Sequence, residues 1–134
     1  MTTGANTMNS KLPLVGRIVT ALACLPFAMG AYMTLSNNPQ AAEGMVAMGW
    51  PAESSTLIVT LMLSSVALYL IPPTAVLGAV LLTGYLGGAV ATHLRVGDAP
   101  TAAVVVGACV WLGLWLREPR LRELMPLRSV TRGG

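Results

Sequence analysis

The polar residues best suited to chemistry are concentrated in one short stretch of an otherwise apolar chain. His93, Arg95 and Asp98 follow each other closely, and Glu53 precedes an apolar run that would begin at the same end of the protein. An imidazole beside a carboxylate can move protons, and a guanidinium can hold an acidic or quinone-like headgroup. The alternative is an interfacial turn in which Asp98 pairs with Arg95 and caps the next helix near Thr101. The residues alone leave both interpretations open.

Three further residues extend this group into the apolar run that precedes it. Tyr85 and Thr92 are seven positions apart, which is two helical turns, so they lie on nearly the same face with Gly88 between them. Such a polar line suits a lipophilic ligand with one polar end, whereas the alternative is a hydrogen bond from Tyr85 to a neighbouring helix. The predicted ligand-binding residues are Glu53, Tyr85, Gly88, Thr92, His93, Arg95 and Asp98.

The sequence offers little for metal or thiol chemistry. Its single histidine and scattered carboxylates lack the spacing of a metal site, so we predict no metal and no catalytic residue. Cys24 and Cys109 fall near the middle of two apolar runs, without a CxxC motif or a neighbouring cation that would stabilise a thiolate. A disulfide between them is geometrically conceivable, but the prediction is two buried, inert thiols.

Small residues form a pattern in the same apolar run. Gly84 and Gly88 make a GxxxG pair, and Gly87 lies beside it. Because lipid tails are as apolar as the side chains, helices in a bilayer associate through close backbone approach, which glycine permits. The pattern predicts helix packing inside one bundle. The alternatives are a contact between two copies and a ligand pressed against the backbone.

The elements that position these residues follow from composition. Of the 134 residues, 54% are hydrophobic and 10% are charged, whereas soluble domains carry about a quarter charged residues. A bilayer span needs about 20 apolar residues. Four runs approach or exceed that length, over about 14–35, 54–71, 74–94 and 101–116. The prediction is an all-α, four-helix transmembrane bundle that forms a single domain over residues 1–134.

The segments outside the four runs are assigned separately. Residues 1–13 are predicted to be a disordered lead-in, and Pro26 is expected to bend the first helix. Asn38 can cap a short interfacial helix over residues 39–48, with Pro39 at its first position. Residues 117–134 are predicted to form a basic cytoplasmic tail.

The distribution of cations predicts the orientation. One side of a four-span protein would hold seven cations, namely Lys11, Arg17, Arg117, Arg120, Arg122, Arg128 and Arg132, and the other side only Arg95. The positive-inside rule therefore places both termini in the cytoplasm and His93 on the outer side. Because the cations cluster at the chain ends instead of following a polar face, nucleic acid is not expected as a partner. A signal peptide cleaved near residues 28–30 is the alternative interpretation of the first run.

A longer motif resembles a known family. The stretch LYLIPPTAVLGAVLLTGYLGGAVATHLRVGD, residues 68–98, resembles the DoxX-like family, most specifically from Gly84 onward. The resemblance implies a four-helix bundle in the bacterial inner membrane. Some members of that family are linked to thiosulfate and quinone oxidation, and others to oxidative-stress complexes or the assembly of membrane-protein partners. Many relatives carry a Glu near the position of Met62 and an Arg at that of Pro73, and the missing carboxylate argues against proton or redox coupling here.

Three functions are consistent with these features. The first is an accessory protein that binds a lipophilic small molecule or a membrane partner through the outer half of the bundle. The second is a quinone-linked oxidoreductase component, although the chain has neither paired histidines for haem nor a cysteine cluster. The third is an assembly factor or scaffold. The expected partners are the lipid bilayer and a second copy or another membrane protein, and quinone or lipid is the conceivable cofactor.

Overall fold

The regular structure of the chain is helical. The computed structural model describes residues 3–125, and within that range it contains no β-strand. The all-α prediction is confirmed for this part of the chain. Its α-helices are α1 (Thr3–Leu35), α2 (Pro39–Ala47), α3 (Ser54–Leu70), α4 (Ala75–Arg95), α5 (Thr101–Arg117) and α6 (Pro119–Leu124), and a 3-10 helix over Pro72–Thr74 joins α3 to α4.

The first helix begins earlier than predicted. Helix α1 starts at Thr3, so the disordered lead-in predicted for residues 1–13 is wrong from Thr3 onward. Adding a residue to an existing helix costs far less than starting one, and the polar residues before Pro13 extend the helix formed by the apolar run. Pro13 and Pro26 both lie inside α1, where each removes a single backbone donor.

The short helix α2 follows the predicted capping pattern. The side chain of Asn38 accepts a hydrogen bond from the Gln40 amide at 3.0 Å, and Pro39 occupies the start of the helix. Ala41 and Met45 are half-buried, whereas most other residues of α2 are exposed. Because its burial is one-sided, α2 lies across the end of the longer helices.

The C-terminal segment contains a helix that the sequence analysis treated as part of the tail. The Glu118 side chain accepts a hydrogen bond from the Arg120 amide at 3.3 Å and caps α6, with Pro119 at its first position. Leu121 is buried, so α6 also lies against the longer helices. Residues 126–134 of the predicted tail fall outside the described residues.

The long helices pack side by side. Helix α1 packs against α3 and α5, and α4 packs against the same two helices. Because each connection reverses the chain direction, neighbouring long helices run antiparallel. We call the end that holds α2 and the α4–α5 connection the α2 end, and the opposite end the α6 end. The largest side chains fully buried between the helices are Tyr69, Leu82, Val110 and Leu114.

One very close contact between the long helices joins α1 to α5. A Cβ atom added to Gly113 would lie 2.6 Å from the Thr20 Oγ1 atom, and one added to Gly16 would lie 2.8 Å from the Arg117 amide nitrogen. Both distances are far below van der Waals contact. The two backbones can therefore approach this closely only because glycine occupies both positions.

The outer surface of the long helices is apolar. On α1 the exposed side chains include Leu14, Ile18, Leu22, Leu25 and Met29, spaced so that they form one continuous face. Soluble monomers rarely expose apolar patches of such extent. The surface is that of a protein whose exterior is covered by lipid.

Two helical stretches satisfy the length and composition of a membrane span. Among the described residues these are Ser10–Leu35 and Pro72–Arg95, of which only 22% and 28% of the most apolar window is buried. The core helix of a soluble protein would be mostly buried. Helices α3 and α5 are also apolar but shorter.

Candidate functional site

Arg95 fastens α2 to the end of α4. Its Nη2 atom donates a hydrogen bond to the Met48 carbonyl oxygen at 2.6 Å, and its guanidinium carbon lies 5.5 Å from the centre of the Trp50 ring. A cation over an aromatic face is attracted by the ring quadrupole. Arg95 therefore holds the segment that follows α2, and its nearest partners belong to the protein itself.

Trp50 makes a second connection between the same elements. Its Nε1 atom donates to the Thr92 Oγ1 atom at 3.4 Å, while the Thr92 hydroxyl donates to the Gly88 carbonyl oxygen at 2.9 Å. Between the two connections, Gly49 has φ of +77°, a conformation that L side chains rarely adopt. We call the contacts of Arg95, Trp50 and Thr92 the α2 strap.

His93 and Asp98 form a separate pair. The His93 Nδ1 atom lies 3.6 Å from a carboxylate oxygen of Asp98, and the Asp98 amide donates to the His93 carbonyl oxygen at 2.9 Å. Within the described residues, Nδ1 is buried and has no hydrogen-bond partner. The predicted pairing of Asp98 with Arg95 is wrong, because Arg95 turns toward α2. Asp98 does not cap α5 either, since that helix is preceded by Pro100 and has no side-chain cap.

Two other predicted site residues have different surroundings. Glu53 precedes α3 without a capping hydrogen bond from its side chain, and it is exposed. Tyr85 packs edge-to-face on Phe27 of α1, with 6.1 Å between ring centres. Its contact with the neighbouring helix is thus an aromatic contact. Of the predicted residues, the structure links Thr92 to Gly88 directly and to Arg95 through Trp50, and it links His93 to Asp98.

The predicted packing glycines face outward. A Cβ atom added to Gly84, Gly87 or Gly88 would meet no atom within 4 Å, and all three residues are exposed. The interpretation as packing inside one bundle is therefore wrong. Helix α4 presents Gly78 to the interior instead, and a Cβ atom there would overlap the backbone of Tyr69. Contact of the outer glycines with a second molecule stays a prediction.

A polar cluster at the α6 end was missed by the sequence analysis. The fully buried Tyr69 donates its hydroxyl to the Val110 carbonyl oxygen at 2.7 Å and lies 3.3 Å from the Thr20 Oγ1 atom. The Arg117 Nη2 atom donates to the Tyr69 carbonyl oxygen at 2.6 Å, and its guanidinium carbon lies 4.7 Å from the centre of the Tyr69 ring. The sequence analysis assigned Arg117 to the tail. Tyr69 and Arg117 lie at the same end of two apolar runs of the predicted bundle, and this position was the available signal.

Two cavities lie toward the α6 end, and one of them adjoins this cluster through Arg117. One, of about 180 Å³, is lined by Arg17, Arg117, Glu118 and the apolar side chains of Pro13, Pro72, Ala75 and Leu114. The other, of about 250 Å³, is apolar and is lined by Trp111, Leu112, Trp115, Leu121 and Met125. The first combines two cations with apolar walls, and the second lies between α5 and α6.

The remaining candidates for chemistry stand apart from both clusters. Cys24 and Cys109 are free thiols, each half-buried against the core. Among the described residues, no group of three or more His, Cys, Asp and Glu side chains is placed to hold a metal ion.

Comparison with models of known protein families identifies the family of this chain. A family model described as the DoxX-like family matches residues 18–115, which is well over half of the chain. The chain belongs to the DoxX-like family. The matched region of this DoxX-like protein runs from α1 into α5 and contains the whole α2 strap, whereas Arg17 and Arg117 lie just outside it. No curated protein and no solved structure is similar enough to count as a match.

Proposed function

We propose that this DoxX-like protein is a non-catalytic accessory protein of the bacterial inner membrane that binds a membrane-embedded partner through the outer half of its helices. The proposal includes four membrane spans, formed by α1, α3, α4 and α5, with both termini in the cytoplasm. The observation that carries it is the exposed glycine surface on α4, next to the α2 strap.

Four spans are supported by packing and length. Helices α3 and α5 contain 17 residues each, which gives about 26 Å at 1.5 Å per residue, close to a hydrocarbon thickness of about 30 Å. Both lie antiparallel to α1 and α4, and a helix packed along a spanning helix shares its depth. The 3-10 turn at Pro72–Thr74 and Pro100 supply the remaining length at the ends.

The orientation rests on charge. Seven of the eight Lys and Arg residues belong to the α6 end or to the segments beyond it, and Arg95 alone belongs to the α2 end. Retention of cations in the cytoplasm would place the α6 end inside and the α2 end outside.

The partner surface consists of Gly84, Gly87, Gly88 and Ala91. These residues are exposed on one side of α4, and the three glycines have open space where a side chain would be. A flat surface of this kind lets another helix approach the backbone closely, which is how helices associate in lipid. The α2 strap fixes the adjacent segment at the outer end, so a partner would meet a preformed surface, and binding would cost less ordering of the protein.

A helix fits this surface better than a small lipophilic molecule does. The surface is open and flat, whereas sites for small ligands are usually concave. A lipid or quinone that lies on the glycines is the second possibility, and the experiment below distinguishes the two. We assign no redox reaction, because the chain has neither the paired histidines of a bis-histidine haem nor the cysteine cluster of an iron–sulfur site.

Site-specific photocross-linking in bacterial membranes tests the proposal. A photoreactive amino acid is placed at Ala91, beside the glycines, and at Ala28, an exposed position on α1 that serves as the control. We expect a protein adduct of defined mass from Ala91 and lipid adducts alone from Ala28. The Gly84→Leu, Gly88→Leu double variant should lose the protein adduct, while Gly30→Leu, another glycine with open space around it, should keep it.

The fold of each variant is checked by thermal unfolding in detergent. Because a Cβ atom at Gly84 or Gly88 would meet no atom of the described chain within 4 Å, the double variant should unfold near the wild-type temperature. Lipid or quinone adducts alone at Ala91 would contradict the protein partner and favour the small-molecule function. A protein adduct that survives in the folded double variant would exclude the glycine surface as the binding site.

A further inference from the structure

We infer that the cavity between Arg17 and Arg117 binds the phosphate group of an anionic phospholipid. This cavity, of about 180 Å³, opens at the α6 end, opposite to the glycine surface, so the inference rests on the proposed membrane topology but not on the proposed partner surface. It is argued from the fixed position of one arginine, the absence of a salt bridge to either arginine within the described chain, and the apolar walls.

Arg117 is held in place by the protein. One Nη2 hydrogen bond to the Tyr69 carbonyl oxygen, 2.6 Å long, and the Tyr69 ring 4.7 Å away define the position of its guanidinium group. Tyr69 is itself fully buried and bonded to Val110 on α5. A donor group positioned by a rigid core loses little freedom when a ligand binds.

This guanidinium shares the cavity with one carboxylate but forms no salt bridge with it. Neither Arg17 nor Arg117 forms a salt bridge with a described residue, and the Nε atom of Arg117 is buried without a hydrogen-bond partner. Glu118 also lines the cavity, but its Oε1 atom accepts from the Arg120 amide and caps α6. A buried donor without a hydrogen-bond partner and a partly buried cation without a salt bridge are costly, and an anion in the cavity would satisfy both.

The two arginines together suit a phosphate. Arginine presents donors in a planar fork that matches phosphate oxygens, and charge-assisted hydrogen bonds of this kind are short and strong. Arg117 is half-buried and fixed, whereas Arg17 is exposed and can move onto a bound anion. The site thus combines one preformed donor with one that closes after binding.

The walls and the location of the cavity favour a lipid as the source of the phosphate. Pro13, Pro72 and Leu114 give it apolar sides that can contact the glycerol and the first methylene groups of a lipid. Arg17 and Arg117 lie at the ends of apolar helical runs, at the level where headgroup phosphates are found. Anionic lipids of the cytoplasmic leaflet attract cations at this level.

Lipid titration of the purified, delipidated full-length protein tests the inference. Phosphatidylglycerol, phosphatidylethanolamine and inorganic phosphate are added separately, and the apparent affinity is obtained from the rise in unfolding temperature. We expect phosphatidylglycerol to stabilise the wild type at the lowest concentration. Arg17→Gln should weaken this effect roughly tenfold, as expected for loss of one charge-assisted hydrogen bond. Arg120→Gln, which removes a cation outside the cavity, should bind like the wild type.

Arg117→Lys distinguishes the contribution of the planar guanidinium group from that of the positive charge. It keeps the cation, and we expect weaker phosphatidylglycerol binding than in the wild type because lysine cannot present two parallel donors. If this variant does not fold, Arg17→Gln alone decides, since Arg17 is exposed and lies on the surface of α1. Equal losses in Arg17→Gln and Arg120→Gln would overturn the site in favour of general surface charge. Saturation by inorganic phosphate at concentrations like those of the lipid would overturn the lipid as the source.

Discussion

Single glycine residues fall into two groups according to what surrounds them. Gly16, Gly78 and Gly113 lie where a side chain would overlap a neighbouring backbone, and they set the distances between helices. Gly84 and Gly88 face open space on α4. Glycine thus fixes the interior packing at one set of positions and leaves a flat outer surface at the other.

We expect Gly78→Ala to destabilise the protein. The new methyl group would overlap the Tyr69 backbone and lie 2.7 Å from the carbonyl carbon of Leu68, so α3 and α4 must separate. Overpacking of this kind costs about 1–3 kcal/mol. Thermal unfolding in detergent measures the effect, and Gly84→Ala is the matched control on the same helix, with no atom near its new methyl group. Equal unfolding temperatures for the two variants would mean that the α3–α4 contact is not limited by this glycine.

Among the described α-helices, α2 is the one in which no residue is buried. Its own residues are at most half-buried, and the α2 strap ties the segment that follows it to α4. The turn through Gly49 brings Met48 and Trp50 to Arg95. The position of α2 at the end of the long helices therefore depends on a few polar contacts.

Gly49→Ala tests this dependence. At φ of +77° an L residue costs about 1–2 kcal/mol, and the new methyl group would also lie 3.1 Å from the Arg95 Nη2 atom. We expect hydrogen exchange of the α2 amides to become roughly tenfold faster, because about 1.4 kcal/mol of local stability corresponds to that factor. Gly44→Ala, within α2 and with open space around it, should leave the exchange unchanged or slower. Unchanged exchange in Gly49→Ala would mean that contacts other than the strap position α2.

The sequence predicts where the helices begin and end better than it predicts which side of each helix faces the interior. The limits of α3, α4 and α5 agree with the predicted runs within one or two residues, because apolar length and proline positions determine them. Helix α4 is apolar nearly all round, so its sequence does not reveal that Gly78 faces inward and Gly84 outward. The pair of His93 with Asp98 depends on the turn after α4, and the contact of Arg95 with Trp50 depends on the path of the chain after α2. Arg117 was assigned to the tail because a cation at the end of an apolar run normally faces water.

For the whole molecule, the distribution of charge makes orientation a testable property. A reporter that is active only in the cytoplasm should give a signal when it is fused to the C-terminus and none when it is fused after Gly97, since only Arg95 among the cations belongs to that side. Reporter activity in cells measures this directly. A periplasm-specific reporter at the same two positions is the control and should give the opposite pattern. Signal from the cytoplasmic reporter after Gly97 would contradict four spans with cytoplasmic termini.

The close contact between α1 and α5 has a consequence for biosynthesis. Ribosomes make α1 first and α5 last of the long helices, so Gly16 and Thr20 meet Gly113 only when nearly the whole chain has been made. Until then, the face of α1 that will receive α5 is open to lipid or to insertion factors. A chain that stops before α5 would keep this face exposed and lack the helix that covers it, and a membrane protease could recognise such a product as incomplete.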